Sequence, residues 1–370
     1  MAKVALKGKV KFKGINNNFF NTLKKRVNQY FEKAQISKHA NFSMVLKTVV
    51  LLSTYIGCFI FLVSFKPVFG FAILIWFLMG LAISGIGMSV MHDANHGAYS
   101  ANKNINKFLG WTLNLAGGTV HNWKLQHNIL HHTYTNISNM DDDIDAKVIL
   151  RLSPHTLFKK FHRLQYVYAL MVYSMATLYW VLGKDFVQMH KYTKNGVNPK
   201  SKAENRLILL NIVLVKLFYL GIIIGFPIAV GFPVWQVIVG FLTMHFTAGI
   251  VLTVIFQLAH SVEGTTHPLP TNDGFIENSW AIHQMNTTVN FARNNKILSW
   301  YVGGLNFQVE HHLFPKICHV HYPKIAEIVK QTADEFGVPY LENKTFFKAV
   351  ASHFRLLRKF GQIDLHDAIA

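Results

Sequence analysis

Twenty histidines occur in this 370-residue chain, and eight of them gather in patterns that suit metal binding. His92-Asp-Ala-Asn-His96 puts two imidazoles at i and i+4, which share one face of a helix. His127-Asn-Ile-Leu-His131-His132 repeats that spacing and adds a third ring at i+5, turned about 100° away on a regular helix. Such a set can serve two metals, or one metal from two sides. Gln308-Val-Glu-His311-His312 forms a third cluster, and His260 stands at the end of an apolar run, three residues before Glu263. Imidazole suits Fe, Zn, Cu and Ni. Eight imidazoles exceed what one ion needs beside open positions, so two metals fit the count. Soluble di-iron bundles mix Glu with Glu-x-x-His. Here the donors are nearly all neutral nitrogen, which leaves a more positive metal pair. One HxxxH has little specificity, and a lone helical histidine is usually an ordinary hydrogen-bonded residue. Three clusters beside apolar runs are a far stronger signal.

The elements that must carry these histidines are apolar. The composition is 51% hydrophobic and only 15% charged, against about 25% charged in soluble domains. Uncharged runs at Thr48–Phe65 and Val68–Met91 are joined by Lys66-Pro67. A second pair at Leu207–Val230 and Val234–Ala259 is joined by Gly231-Phe232-Pro233. This predicts an all-α integral membrane fold with four transmembrane helices in two hairpins, at about 45–65, 68–91, 208–230 and 234–259. Gly80, Gly85 and Gly87 allow close helix approach. Phe108–Val120 is too short to span. Tyr166–Gly183 is long enough, but spanning there would move the last histidine cluster to the other side. It is therefore expected to lie in the interface, where its tyrosines and Trp180 belong.

Residues 1–43 form a basic arm, expected at the cytoplasmic membrane surface, and 331–370 a cytoplasmic tail. The basic arm places the N-terminus inside. The regions 92–207 and 261–370 then share that side as a helical cap over a di-metal site, in the inner membrane if the source is bacterial. The net charge of +19 fits the positive-inside bias, an anionic lipid surface or an acidic electron donor. Nucleic acid is excluded as a partner, because the basic residues flank apolar runs without a stacking platform. Two cysteines exclude a disulfide scaffold, and the basic start lacks the apolar core of a secretory signal.

HDANH, HNILHH and QVEHH, in this order and layout, resemble the three histidine boxes of the membrane fatty acid desaturases. The run Trp300–Pro315 (WYVGGLNFQVEHHLFP) and His260-Ser-Val-Glu-Gly match as well, and the likeness covers roughly residues 44–330. The resemblance implies two non-haem irons held by His92, His96, His127, His131, His132, His260, His311 and His312. It also implies O2 as co-substrate and a cis double bond placed in a CoA- or lipid-linked fatty acyl chain at the cost of two electrons. Gln308 opens the third box as in the front-end (delta-5/delta-6-like) desaturases, which act between an existing double bond and the carboxyl end. It would orient a ligand or reach a metal through water. The His-Pro-Gly-Gly signature of a fused cytochrome b5 domain does not occur, so a separate donor, ferredoxin or cytochrome b5, is implied. Related hydroxylases and acetylenases share the boxes. A histidine-rich metal transporter would need ionisable residues across the spans.

Further residues carry lesser expectations. Asp93 and Glu310 are placed to hold ligand imidazoles as acceptors, as are Asn95, Asn128, Asn136 and Asn306. His283 is a possible extra ligand or supporting group, and His121 a neighbour. His319 and His321 are expected in a packing loop. His245, about 22 Å along a helix from His260, should bond a neighbouring helix. Asp141–Asp143 with Asp145 reads as a solvated acidic loop, and the Lys216 ammonium is expected to snorkel to the interface.

Overall fold

In an apolar medium a chain must satisfy its backbone internally, and long apolar runs do so as helices. The computed structural model describes residues 10–14, 17–144 and 149–362; Asp145 lies outside the described residues. The amphipathic α1 (Asn17–Ala34) is followed by α2 (Phe42–Phe65), whose first turn is capped by Asn41 accepting from the Met44 N–H. Lys66, at φ 45°, ends α2, and α3 (Phe69–His96) runs on without a break through a π-helical turn at Ile86–Val90. α4 (Lys103–Gly110) and α5 (residues 120–134) follow. Next come α6 (Lys160–Ser174) and α7 (Ala176–Lys194), bent by 52° at Met175. A Ser201/Glu204 capping box opens α8 (Lys202–Ala229), and α9 (Val234–His260) is the second long helix of that pair. The short α10 (Trp280–Thr287), α11 (Lys296–Tyr301) and α12 (Gln308–Leu313) precede α13 (Tyr322–Glu335) and α14 (Phe346–Phe360). Two parallel two-residue strand pairs tie Lys11–Phe12 to Phe275–Ile276 and Asn290–Phe291 to Glu342–Asn343.

Among the described residues, α2, α3, α8 and α9 are the four single helices long and apolar enough to cross a membrane, close to the expected spans, and the bent α6–α7 pair would pass only if taken as one. α3 is the central one: 56% of its apolar window is buried, against 22% for α2 and for α8. It packs on both α2 and α9. At Gly80 a Cβ would stand 2.6 Å from the Met244 carbonyl oxygen, so glycine sets the α3–α9 approach. The outer faces of α2 and α8 leave Val49, Ile56, Leu214 and Phe218 exposed. In water that surface would be an aggregation liability; in lipid it is matched to its solvent.

α1 buries Phe19, Leu23, Val27 and Phe31 in one cluster with Ile325 and Val329 of α13, and Arg26 pairs with Glu335. The basic arm thus packs on the segment that follows the third histidine cluster.

Lys216 corrects an expectation. Its ammonium does not extend to solvent. It is buried, 2.9 Å from Asp185 Oδ2, and donates to the carbonyls of Trp180 and Gly117 at 2.7 and 3.1 Å. With a carboxylate and two carbonyls in reach, the charge is met inside the protein and its stem has no reason to extend. His245 bonds Tyr219 of α8 and Thr177 of α7, as its mid-helix position suggested.

Candidate metal centre

Four segments bring the eight histidines together. The continuous α3 carries His92 and His96 on its last turns, ring centroids 4.7 Å apart. In α5 the stretch Lys124–His131 is π-helical. That corrects the regular-helix expectation for His132. In an i→i+5 turn the fifth residue comes back over the first, and His132 Nε2 stands 3.3 Å from His127 Nε2. α9 ends on His260. α12 delivers His311 and His312 after a turn at Gly303 and Gly304, both at positive φ. A Cβ on Gly303 would collide with the Met88 carbonyl, and one on Gly304 would stand 2.8 Å from His319 Cβ.

All eight rings are buried. Four have their Nδ1 engaged: His131 with both Asp141 oxygens at 3.1 Å, His312 with Gln284 Oε1 at 2.7 Å, His311 with the Tyr322 hydroxyl at 3.1 Å, and His260 with the Thr287 carbonyl at 3.3 Å. Nδ1–H donation to these oxygens leaves the Nε2 lone pair free. The Nε2 atoms of His96, His131, His260, His311 and His312 are buried with no hydrogen-bond partner. Those of His92, His127 and His132 meet only one another, at 3.2 and 3.3 Å. Buried polar atoms rarely go unpaired, and nitrogen lone pairs do not attract each other. A cation among them resolves both problems. Two nitrogens on one ion at ~2.1 Å stand about 3.0–3.4 Å apart, which is the separation observed.

The donor atoms fall into overlapping sets, each mutually within 4.8 Å: His92, His96, His127 and His311; His131, His260 and His312; His132, His311 and His312. The residues present fit two metal ions. Burial pushes His127 down to about 3, and burial with neighbouring imidazoles holds His132, His311 and His312 well below the usual histidine value. These rings are therefore neutral ligands at physiological pH. Burial also opposes charge on His131, yet Asp141 and Asp143 raise it above the ordinary value.

Other expected residues lie elsewhere. His283 is buried against Phe12 and belongs to none of these sets. Glu310 accepts from Asn290 and Tyr340 rather than from an imidazole. Asn95, Asn128, Asn136 and Asn306 donate to backbone carbonyls. Asp93 Oδ1 is 3.7 Å from His92 Nδ1, and its other oxygen accepts from His319 Nδ1 at 2.8 Å. Gln308 leaves Oε1 buried without a partner.

Two sequence expectations fail here. The acidic run is no solvated loop: Asp141 is fully buried behind His131, Asp143 lies 3.5 Å from the same ring, and Asp142 pairs with Lys191. Their partners are His131, which faces Asp141 and Asp143, and Lys191, which faces Asp142. His319 does not pack passively, since it bonds both Asp93 and Lys47. The signal for Asp141 was its place ten residues after His131. Nothing local marks Gln284 or Tyr322.

A cavity of about 580 Å³ opens beside the chamber, within the ~300–1,000 Å³ of small-molecule sites. His92, His127 and Gln308 form one part of its wall, and Ile83, Leu252 and Phe256 are among its apolar lining.

A fatty acid desaturase family model matches residues 67–344. An sn-1 linoleoyl-lipid 6-desaturase of Arthrospira platensis is 37% identical over 94% of each chain. Its namesake from Synechocystis sp. is 37% identical over 93% of this chain and 96% of its own. An acyl-lipid (8-3)-desaturase of Physcomitrium patens is 31% identical over 94% of this chain and 72% of its own.

Proposed function

The chain belongs to the fatty acid desaturase family, and from that premise we propose that it is a front-end acyl-lipid desaturase. It sets a cis double bond on the carboxyl side of one already present. Two irons would be held by His92, His96, His127, His131, His132, His260, His311 and His312. The observation that carries this reading is the convergence of eight buried Nε2 atoms on a chamber open to a largely apolar cavity. Gln308 at the head of the third box and the relatives named as lipid 6-desaturases support the front-end, lipid-linked assignment.

The chemistry that a bound iron pair would supply is reduction of O2 by two external electrons and two protons together with the two hydrogens taken from adjacent methylenes, so that two waters form. The chain's own residues do the rest. Asp141, Gln284, Tyr322 and the Thr287 carbonyl hold four imidazoles by Nδ1, so that each Nε2 points inward. The apolar wall excludes water and positions the acyl chain, so that the selected carbons follow from distance along the cavity.

Topology follows from parity. Histidines before α6 and at the end of α9 share one chamber, so the chain between them crosses the bilayer an even number of times. α8 and α9 supply two crossings, which supports α6–α7 folding back to its own side. Its exposed Val167, Met171, Leu182 and Val187 then meet lipid. With two hairpins, the basic N-terminal arm supports a chamber at the cytoplasmic face by the positive-inside rule. A separate ferredoxin or cytochrome b5 delivers electrons there.

The test is expression in a host without polyunsaturated lipids, feeding mono- and di-unsaturated fatty acids and locating new double bonds by mass spectrometry. Loss of two hydrogens on the carboxyl side of an existing double bond is expected. Gain of oxygen would make the chain a hydroxylase, and a new bond on the methyl side would overturn the front-end assignment.

A further inference from the structure

Lys47 is an anomaly. It lies in the otherwise uncharged α2, is 2% exposed, and among the described residues forms no ion pair with a carboxylate. An ionisable residue in an apolar span calls for a reason. Its ammonium is 2.7 Å from His319 Nε2 and sits over the Trp300 ring at 5.4 Å. His319 Nδ1 is 2.8 Å from Asp93 Oδ2, and the same oxygen accepts from the His319 backbone N–H at 3.1 Å. The other oxygen of Asp93 faces His92 Nδ1 at 3.7 Å. Lys47, His319, Asp93 and His92 are all buried, and they come from three distant parts of the sequence.

One proton arrangement satisfies every hydrogen bond from Lys47 to Asp93; His92 Nδ1, 3.7 Å further on, makes none and meets Asp93 by charge alone. Lysine has donors only, so His319 Nε2 must accept and Nδ1 must carry the hydrogen. That N–H donates to Asp93, whose free oxygen then favours the hydrogen of His92 on Nδ1 and leaves the lone pair on Nε2. Nε2 is the atom that meets His127 in the chamber. Asp93, Cys318 and His319 are compact enough to suggest a cation site of their own. Both ring nitrogens of His319 are already engaged, and Lys47 supplies the positive charge, so the trio is better read as a support.

We propose that Lys47 and His319 are positioning residues. Acting through Asp93, they fix the ring orientation and tautomer of His92, and so set metal affinity on the His92 side of the chamber. The inference rests on the metal reading of the histidine cluster. Gly304, which leaves room for the His319 Cβ, belongs to the same device.

The experiment is Co²⁺ titration of metal-free, full-length protein in detergent, followed by ligand-field absorption. Wild type is expected to bind two ions. His319→Leu should weaken one of them about 10–100-fold, the usual cost of losing an outer hydrogen-bond partner, and leave the other unchanged. Lys47→Met should weaken the same ion by less. His319→Asn, whose amide can still donate to Asp93, should recover most of the loss. Lys47→Met leaves the histidine in place, so the test survives if His319→Leu does not fold. Wild-type affinity in both Lys47→Met and His319→Leu, or equal weakening of both ions, would overturn the proposal. Wild-type protein that takes up no cobalt would sink the metal reading itself, and the support with it.

Discussion

Two regions of this molecule bury polar groups, and they do so in opposite ways. Among the apolar helices, Lys216 finds Asp185 and two carbonyls, and His245 uses Nε2 on Tyr219 and Nδ1 on Thr177. Each of those side chains is satisfied by the protein alone. In the histidine chamber five Nε2 atoms have no partner and three more face one another. Burial is complete in both places, so burial does not distinguish them. The difference is in the remaining valence. A cluster closed on itself holds helices together, whereas one left open inward is built for something the chain does not contain.

The sharpest way to break this contrast is to remove one inward nitrogen from the chamber. His131→Ala or His311→Ala should reduce desaturated product to background in fed cells while the protein still inserts into membranes. Full activity in both variants would show that the chamber does not need its nitrogens. The converse cut is Lys216→Met, which strands the fully buried Asp185. Breaking one side of a buried ion pair costs about 3–5 kcal/mol, so the apparent unfolding temperature in detergent should fall steeply. The metal content of protein that stays folded should not change. Adding Asp185→Leu should restore much of the loss, because the stranded charge is then gone. Metal loss in Lys216→Met at unchanged thermal stability would contradict the division drawn here.

A smaller effect separates holding a ligand from being one. Asp141→Asn keeps the shape behind His131 but removes the carboxylate that fixes its tautomer. An outer partner of this kind is worth about 10–100-fold in metal affinity. Competition with a chelator should show that loss without unfolding. An affinity equal to wild type would mean that His131 is oriented by packing against Phe256 and His260 instead.

These residues also show what the sequence makes legible. The spans and the box histidines can be read because each rests on a local period: an apolar run of bilayer length, or imidazoles one helical turn apart. The convergence of His92, His127 and His311 is carried by the resemblance to a family and not by any spacing. The π-helical stretch through His127 escaped because no residue type encodes it; it forms where the ring positions demand it. Asp141 and Lys47 were misread or passed over for a common reason. A charged residue is solvated unless a partner meets it; His131, ten residues before Asp141, and His319, far from Lys47 in the chain, meet them only in the fold. Lys216 was read as snorkelling on the same logic, and Asp185 overturned it.

The smallest effect tests the closed side of the comparison most directly. Tyr219→Phe removes the hydroxyl 2.7 Å from His245 Nε2 and nothing else. Leaving a buried nitrogen unmatched costs about 1–3 kcal/mol in soluble proteins, but interhelical hydrogen bonds within membranes average only ~0.6 kcal/mol. The expected loss is therefore about 1 kcal/mol, read as a small drop in unfolding temperature. Metal stoichiometry and product position should stay as in wild type. His245→Leu added to Tyr219→Phe should recover most of the stability, since an apolar pair has no valence to leave open. If the double variant instead lost metal, His245 would belong functionally to the chamber, and the boundary between the two regions would have to be redrawn.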